Sequence, residues 1–251
     1  MKTLNIVIPM AGRGSRFEKA GYNLPKPLIE VAGQKMIELV IKNIKPNIPH
    51  KFIFICLREH SEKYDLHAIF TNAVGGSNYE VVLIDDVTAG AACTVLCAKK
   101  YIDNEHDLVT VNSDQYIAID FDDFIAEGRK EETDGYIMTF VDSDPKWSFA
   151  KIDDTGRVTE TAEKVPISEN ATVGIYYFSQ GKDFVSAAEA MIRKNSKQNG
   201  EFYVCPIYNE MIAVGAHIRI HDIHINTMHG LGTPEDLELF LKKIERGIVT
   251  I

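Results

Sequence analysis

The first half of the chain alternates four short, almost uncharged apolar runs with longer segments of mixed polarity. Branched aliphatic residues without charge are typical of strands that are buried on both faces of a sheet. The predicted strands are Leu4 to Pro9, Phe52 to Leu57, Val81 to Ile84 and Leu108 to Val111, and the predicted helices are Lys35 to Ile44, Ser61 to Thr71 and Ala89 to Tyr101. This order predicts an α/β fold with a Rossmann-like, mainly parallel sheet flanked by helices on both faces. Ligands of such sheets bind at the carboxyl ends of the strands.

The second half has a different pattern, with closely spaced strand candidates after Asp120 that predict a mixed or antiparallel region. The strand candidates are Gly135 to Val141, Phe149 to Ile152, Arg157 to Glu163 and Val173 to Phe178, and the helix candidates are Asp183 to Lys194, Pro206 to Val214 and Pro234 to Arg246. Thr233 can cap the last helix, since a hydroxyl before a proline and two acids is a typical helix start. No linker or repeat divides the sequence, so we expect one domain over residues 1–251, with halves at 1–120 and 121–251.

The charge and the cysteine content argue against several classes of protein. A formal net charge of −9 argues against a general nucleic-acid surface, although local cations or a metal ion can still bind a small anion. The four cysteines show no pairing that is typical of a metal clip. No charged-then-apolar leader opens the chain, and no apolar run approaches the roughly 20 residues of a membrane span. We therefore expect no membrane insertion and a cytoplasmic protein with reduced thiols.

A glycine-rich turn follows the first predicted strand. Ala11, Gly12 and Gly14 lie in this turn, where backbone N–H groups can converge on phosphate oxygens without interference from side chains. Arg16 and Lys26 add two cations, and Lys26 is held between two prolines. The turn lacks the third glycine of a dinucleotide fingerprint and the Gly-Lys-Ser/Thr of a P-loop. It therefore predicts a phosphate site of another kind.

The pattern Gly-x-Gly-x-Arg, then Pro-Lys-Pro-Leu, then Gly before a helix resembles the signature of the sugar nucleotidyltransferases. The resemblance implies an enzyme that joins an NTP to a sugar 1-phosphate and releases pyrophosphate. It implies that Gly12, Gly14 and Arg16 hold the triphosphate, with Ala11 beside them, while Lys26 contacts the phosphate that is transferred. Arg16 and Lys26 would then be the catalytic residues. Residues 1–120 would bind the nucleotide, and residues 121–251 would bind the acceptor.

The resemblance extends to a carboxylate after the fourth predicted strand. Asp114 lies in Val111-Asn112-Ser113-Asp114-Gln115, which resembles the family's metal-binding motif. This implies that Asp114 shares Mg²⁺ with the α-phosphate, and few protein ligands plus phosphate oxygens suit this ion. Relatives often add an aspartate two residues before the second glycine of His229-Gly230-Leu231-Gly232, where this chain has Gly230. Asp222 from a neighbouring strand, His229, or water alone are the alternatives for the missing ligand.

Further matches predict the walls of the site. Thr88 and Gly90 lie in a segment that resembles the one that receives the nucleotide base in relatives. Glu163 and Lys164 resemble the Glu-Lys pair that binds the sugar and the phosphate of the acceptor. The resemblance also implies that Gly174 lines the acceptor pocket, and that Glu201 belongs to a downstream Gly-Glu segment of the acceptor site, in Asn199-Gly200-Glu201-Phe202-Tyr203.

Two other functions remain open at this point. Asp142-Ser143-Asp144 spells the Asp-x-Asp of many glycosyltransferases, which would use a nucleotide-sugar donor, although a solvated turn explains it as well. A regulator that binds an NTP without turning it over is the other alternative, and the glycine at Gly230 is consistent with it. Lys146-Trp147-Ser148 and the acceptor-side matches resemble a subgroup linked to capsule or surface-polysaccharide synthesis. The expected partners are an NTP and a phosphorylated small-molecule acceptor, while the base, the acceptor and the oligomeric state stay open, with a homo-oligomer allowed.

Overall fold

The computed structural model describes residues 2–130 and 132–251. Its strands are β1 (Leu4–Pro9), β2 (Glu30–Val31), β3 (Gln34–Lys35), β4 (His50–Leu57), β5 (Tyr79–Ile84), β6 (Asp107–Val111), β7 (Gln115–Ile117), β8 (Gly135–Val141), β9 (Ser148–Ile152), β10 (Val158–Glu163), β11 (Asn170–Phe178), β12 (Ile218–Asp222) and β13 (Met228–Gly230). Its helices are α1 (Ser15–Lys19), α2 (Met36–Asn43), α3 (Arg58–Lys63), α4 (Leu66–Val74), α5 (Ala91–Leu96), α6 (Lys99–Ile102), α7 (Phe121–Gly128), α8 (Gly181–Arg193), α9 (Ile207–Ile212) and α10 (Pro234–Glu245).

Nine of the strands form one central sheet, and helices flank it. Parallel pairing joins β5, β4, β1 and β6 in that order. Antiparallel pairing begins at β11, which lies between β6 and β8, and β12 runs parallel to β8 at the edge of the sheet. β9 pairs with β11 at one position and with β10 along its length. The predicted α/β fold, with a parallel first half and a mixed second half, is therefore confirmed.

Both faces of the parallel half are buried, which explains why its strands carry almost no charge. Along β1, Ile6 and Ile8 lie in one apolar cluster and Val7 lies in another, because successive side chains of a strand point to opposite faces. Residues of α2 and α4 cover the first face, and residues of α5 and α8 cover the second. Phe54 of β4 stacks on Phe70 of α4, with ring centroids 3.9 Å apart. The parallel half of the sheet thus forms a central layer between two layers of helices.

Two of the predicted helices are split in the structure. The stretch from Ser61 to Thr71 belongs to α3 and α4, because the side chain of Asp65 accepts a hydrogen bond from the N–H of Ala68 at 3.0 Å and starts a new helix. The stretch from Ala89 to Tyr101 belongs to α5 and α6. In the part of the chain that is described, no helix combines the length and the apolar character needed to cross a membrane.

The parallel pairing of β1 with β6 decides where a ligand can bind. Because the two strands are neighbours and run in the same direction, the loops after Pro9 and after Val111 leave the sheet at the same edge. β11 carries a register shift between Thr172 and Tyr176, and Gly174 lies within it at a φ of 91°. This irregularity brings β11 close to the loop after β6.

Candidate active site

A cavity of about 370 Å³ opens at the carboxyl ends of β1 and β6. Its walls come from the loop after β1, from Lys26, from residues 87–94, from the loop after β6, and from the acceptor-side segments around Ser148, Glu163, Tyr176 and 201–205. Both halves of the chain therefore contribute to one site, at the edge of the sheet where the sequence pattern predicts it.

Lys26 and Asp114 form an ion pair in this cavity. The Nζ of Lys26 donates to Oδ2 of Asp114 at 2.7 Å, and each side chain is 22% exposed. Gly14 makes room for Lys26, since a Cβ at position 14 would lie 3.0 Å from the Cβ of Lys26, and its φ of 63° favours glycine. The structure thus brings the predicted lysine and the predicted carboxylate together in one cavity.

The backbone of Asp114 is held by Leu231, the residue that follows β13. The N–H of Leu231 donates to the carbonyl oxygen of Asp114 at 2.7 Å. A Cβ at Gly232 would lie 2.9 Å from Oδ2 of Asp114, so a glycine is required there for the carboxylate to keep its place. Gly232 was not predicted as a site residue, although its place in the Gly-Leu-Gly pattern was a usable signal.

Ala11 and Gly12 of the glycine-rich loop differ from Arg16 in their position relative to the cavity. Ala11 and Gly12 line the cavity, and a Cβ at Gly12 would meet no atom within 4 Å, so its backbone faces open space. Arg16 lies in the short helix α1 with an exposed side chain, and it does not line the cavity. The structure therefore does not bring Arg16 to the Lys26–Asp114 pair, and its predicted catalytic role is left without a structural contact.

Thr88 and Gly90 form a wall that packs on the segment around Phe202. The N–H of Phe202 donates to the carbonyl of Ala89 at 2.9 Å, and the N–H of Ala92 donates to the carbonyl of Phe202 at 3.0 Å. Gly90 has a φ of 135°, and a Cβ there would collide with the backbone of Phe202. Thr88 donates through its hydroxyl to the carbonyl of Gly90 at 2.8 Å. Both predicted residues thus line the cavity, next to small side chains.

Glu163 lies at the opposite end of the cavity, at the end of β10. Its residue surface is 7% exposed, Ser148 donates a hydrogen bond to its Oε2, and its backbone N–H donates to Oε1 of Gln198 at 2.6 Å. Burial raises the pKa of the Glu163 carboxyl. Glu201 lines the same cavity, together with Ser148, Tyr176 and Tyr203, and the sequence interpretation had assigned no role to Tyr176 or Tyr203.

Lys164 and Gly174, which the sequence predicts in the acceptor site, do not line the cavity. Lys164 adopts a φ of 57°, and its Nζ donates to the hydroxyl of Tyr203 at 2.9 Å. Gly174 packs under Asn112: the N–H of Asn112 donates to the carbonyl of Gly174 at 3.0 Å, and a Cβ at 174 would collide with the Asn112 side chain. Asn112 lines the cavity and Gly174 does not, so the prediction that Gly174 lines the pocket is corrected to a supporting role.

Neither alternative for a second metal ligand reaches Asp114. Asp222 ends β12, and β8 and β11 separate β12 from β6, which at the usual strand spacing amounts to roughly 14 Å. Asp222 does not line the cavity. His229 is buried in β13 with its Nδ1 3.3 Å from Nζ of Lys243. Within residues 2–130 and 132–251, no group of three or more His, Cys, Asp or Glu side chains is arranged to hold a metal ion.

The Asp-x-Asp sequence serves a turn. Oδ1 of Asp142 accepts from the N–H of Asp144 at 2.8 Å, and Oδ2 of Asp142 accepts from Nε1 of Trp147 at 3.0 Å. Asp144 in turn accepts from the N–H of Lys146 at 3.0 Å. Neither carboxylate lines the cavity. The turn explanation that the sequence allowed accounts for both acids.

The fold and the cavity define an α/β protein with a glycine-rich loop and a Lys–Asp pair at the edge of its sheet. A family model described as nucleotidyl transferase matches residues 6–215. Since this match covers most of the chain, the protein belongs to the nucleotidyl transferase family.

Individual relatives agree with this family. The "Bifunctional protein GlmU" of Methanococcus aeolicus is 25% identical over 178 residues, and the match covers 70% of this chain and 40% of that protein. The low-salt glycan biosynthesis nucleotidyltransferase Agl11 of Haloferax volcanii is 23% identical over 238 residues, which cover 92% of this chain and 63% of Agl11. The chain therefore spans less than two thirds of either relative. The crystal structure of a nucleoside-diphosphate-sugar pyrophosphorylase from Vibrio cholerae superposes with a TM-score of 0.79 at 29% identity, over 94% of this chain and 99% of that one.

Proposed function

We propose that the protein transfers a nucleoside monophosphate from an NTP to a phosphorylated small-molecule acceptor and releases pyrophosphate. The observation that carries this proposal is the single cavity in which the Lys26–Asp114 pair lies between a glycine-rich loop and a buried carboxylate, Glu163. The similarity to a nucleoside-diphosphate-sugar pyrophosphorylase supports a sugar 1-phosphate as the acceptor. In this proposal residues 1–120 supply the nucleotide side and residues 121–251 supply the acceptor side.

The reaction is an in-line displacement at the α-phosphorus. An oxygen of the acceptor phosphate forms a bond to the α-phosphorus, the bond between that phosphorus and the oxygen bridging to the β-phosphate breaks, and the electron pair leaves with pyrophosphate. The second ionisation of a phosphate monoester has a pKa of about 6, so the attacking oxygen is already anionic near pH 7 and needs no general base. The protein therefore contributes positioning and charge stabilisation.

Lys26 supplies the positive charge for this step. Pro25 and Pro27 restrict its backbone, Gly14 approaches its Cβ, and Asp114 accepts from its Nζ at 2.7 Å, so the side chain is already placed at the cavity wall and needs little reorganisation when charge develops around the phosphorus. The backbone of Ala11 and Gly12 faces the same space and can donate to phosphate oxygens. Arg16 belongs to the proposal as a residue of the triphosphate loop whose exposed side chain would have to turn toward the ligand.

Asp114 is the residue that would hold Mg²⁺. A carboxylate that lines the cavity beside a cation, at a site sized for phosphates, fits an ion that takes one or two carboxylates and completes its shell with phosphate oxygens and water. The ion would supply additional neutralisation of phosphate charge. This assignment uses a single protein carboxylate, since Asp222 lies away from the cavity.

The proposal also includes a cellular compartment, a biosynthetic pathway and an oligomeric state. Cys56, Cys93, Cys97 and Cys205 are free thiols, which suits a reducing compartment such as the cytoplasm. Agl11 is named for glycan biosynthesis, and this supports a place in the synthesis of capsule or other surface-polysaccharide precursors. A homo-oligomer is compatible with both.

A pyrophosphate-release assay tests the proposed function. The four NTPs and dTTP are crossed with a panel of phosphorylated acceptors in the presence of Mg²⁺. We expect release from at least one pair, and we expect Lys26→Ala to slow it about a hundredfold or more, since one preorganised charge contact is worth roughly 3 kcal/mol of barrier. The matched control is Lys19→Ala, which removes an exposed lysine from α1 and should leave the rate unchanged.

Three outcomes would count against the proposal or against the role of Lys26 in it. Measurable NTP binding without pyrophosphate release from any pair would favour the non-catalytic regulator. Near-normal release by Lys26→Ala would show that Lys26 does not stabilise the transfer step. A nucleotide-sugar donor that is consumed without pyrophosphate would favour a glycosyltransferase, although the turn that Asp142 and Asp144 form speaks against it.

A further inference from the structure

The two ends of the cavity differ in charge. Among the described residues that line it, Lys26 is the one basic side chain, while Asp114, Glu163 and Glu201 are acidic. Lys26 and Asp114 neutralise each other at 2.7 Å. The acceptor end therefore presents two carboxylates without a cation in its lining.

Glu163 has a free bonding position that faces the cavity. The carboxylate is more than nine-tenths buried, and its Oε2 accepts a hydrogen bond from Ser148. Its Oε1 accepts no hydrogen bond from any residue that the structure describes, and Glu163 lines the cavity. An ionised carboxylate that is removed from water needs donors or a counter-charge to offset its lost hydration. Because Oε1 is not enclosed by protein, a ligand in the cavity can supply this donor in place of water.

Lys164 is the cation that lies within 4.0 Å of Glu163, but its ammonium group is hydrogen-bonded to Tyr203. Its Nζ lies 4.0 Å from Oε1 of Glu163, at the outer limit of an ion pair, while it donates to the hydroxyl of Tyr203 at 2.9 Å. The same ammonium group lies 4.8 Å from the centroid of the Tyr203 ring. The Lys164 side chain is 40% exposed, so water screens its attraction to Glu163. It therefore compensates only part of the negative charge at this end.

The remaining walls of the acceptor end also suit a cation. Tyr176 and Tyr203 both line the cavity, and the electron-rich faces of tyrosine rings attract ammonium groups. The hydroxyl of Tyr176 is engaged with Thr172 at 2.8 Å. The Tyr203 ring already contacts the Lys164 ammonium group, so the Tyr176 side chain and the two carboxylates are the groups left to favour a further positive charge.

We infer that the acceptor carries a protonated amine in addition to its phosphate, with the amine donating to Oε1 of Glu163 and with Glu201 supplying a second negative charge. This inference rests on the proposed function, because it places the acceptor phosphate toward Lys26 and the amine at the opposite end. A neutral hydroxyl could donate one hydrogen bond to Glu163, but it would add no counter-charge to that of Lys164, which compensates only part of the negative charge at this end. An ammonium group satisfies both requirements at once.

Matched acceptor pairs test the inference in the pyrophosphate-release assay. Glucosamine 1-phosphate is compared with glucose 1-phosphate, and phosphoethanolamine with 2-hydroxyethyl phosphate, each against all five nucleotides. The members of a pair differ only in an amine and a hydroxyl. We expect kcat/KM for the amine to exceed that for the hydroxyl by about tenfold or more in at least one pair, as a charge-assisted hydrogen bond should give.

Glu163→Gln then tests the residue. We expect it to lower the ratio of kcat/KM for the preferred amine to kcat/KM for its hydroxyl partner about tenfold or more, since the amide keeps a hydrogen-bond acceptor and loses the charge. Glu160→Gln, an exposed carboxylate on the same strand, is the matched control and should change neither. Circular dichroism checks that the variants fold, and Glu201→Gln replaces Glu163→Gln if the buried substitution unfolds the protein.

The outcomes separate this inference from the proposed function. Pyrophosphate release that favours the hydroxyl member of each pair, or that occurs only with amine-free acceptors of the wider panel, would overturn the inference and leave the proposed function standing. Absence of release from every combination would instead overturn the proposed function. In that case calorimetric titration of the nucleotide-loaded protein with the same pairs decides the inference, which requires tighter binding of the amine and is overturned by equal affinities.

Discussion

Replacing His229 by phenylalanine should make the protein less sensitive to mild acid. His229 lies in β13 and is 4% exposed, with its ring centroid 5.4 Å from that of Phe240 and 6.2 Å from that of Tyr116. Its Nδ1 is 3.3 Å from the ammonium group of Lys243, and its Nε2 is buried without a partner among the described residues. Burial, together with the charge of Lys243, lowers the pKa of His229 from 6.5 to about 4.

The free energy of unfolding depends on pH because the folded and the unfolded chain bind the proton of His229 with different affinity. Between pH 4 and pH 6.5 the unfolded chain protonates this histidine and the folded protein does not, so the free energy of unfolding falls as the pH falls. With pKa values of 6.5 and about 4, His229 alone accounts for a loss of about 2 kcal/mol between pH 7 and pH 5. Phenylalanine keeps a ring between Tyr116 and Phe240 and cannot take up a proton.

Urea unfolding at pH 7, 6 and 5 measures the effect. The loss of stability between pH 7 and pH 5 should be smaller in His229→Phe than in the unchanged protein by about 2 kcal/mol. This difference does not depend on any packing change that the new ring causes equally at both pH values. His67→Phe, at an exposed position of α4, is the control. Equal losses in the two proteins, within about 0.5 kcal/mol, would refute the reasoning, because ΔG values extrapolated from urea carry errors of that size.

Two other substitutions test the site and the fold. Gly232→Ala places a Cβ 2.9 Å from Oδ2 of Asp114, so we expect pyrophosphate release to fall about tenfold or more, since small displacements of reacting groups are costly, while the thermal midpoint changes little. Gly230→Ala is the matched control, because neither glycine has a positive φ and a Cβ at Gly230 would meet only Asp236, at an ordinary contact distance of 3.8 Å. Arg129→Met removes the cation that lies 2.6 Å from Oδ2 of Asp107, which is 1% exposed, and leaves Lys2 at 3.8 Å from Oδ1, so it should cost about 1–3 kcal/mol in urea unfolding. Lys130→Met, on the exposed end of the same segment, should change little. Unchanged release by the first variant, or a loss below about 1 kcal/mol in the second, would contradict these accounts.

The meeting of Lys26 and Asp114 could be predicted because local signals and topology agree. Asp114 follows a run that reads as a buried strand, and a parallel sheet collects the loops after its strands at one edge. The two prolines around Lys26 restrict its backbone before any tertiary contact forms. In the structure, the two side chains lie 2.7 Å apart.

The remaining site residues depend on contacts that a single sequence does not encode. Asp222 shares the chemistry of a metal ligand, but its distance from Asp114 depends on β12 pairing with β8 at the far edge of the sheet. Gly174 and Gly232 are glycines because a side chain would collide with a neighbour, which is Asn112 for Gly174 and Asp114 for Gly232. These neighbours are known only once the fold is known. Tyr203 gave no signal, since a tyrosine near a glycine is ordinary in a core.

The architecture separates the transfer step from the choice of acceptor. Lys26 and Asp114 depend on the parallel strands β1 and β6, whereas Glu163 ends the antiparallel strand β10, which reaches the cavity through β9 and β11. Because these two supports share few elements, a change around Glu163 can alter what binds without moving Lys26 and Asp114, the groups proposed to act at the α-phosphorus. Substitutions at the acceptor end should therefore shift the preference among phosphorylated acceptors, and substitutions at Lys26 should slow the reaction with all of them alike.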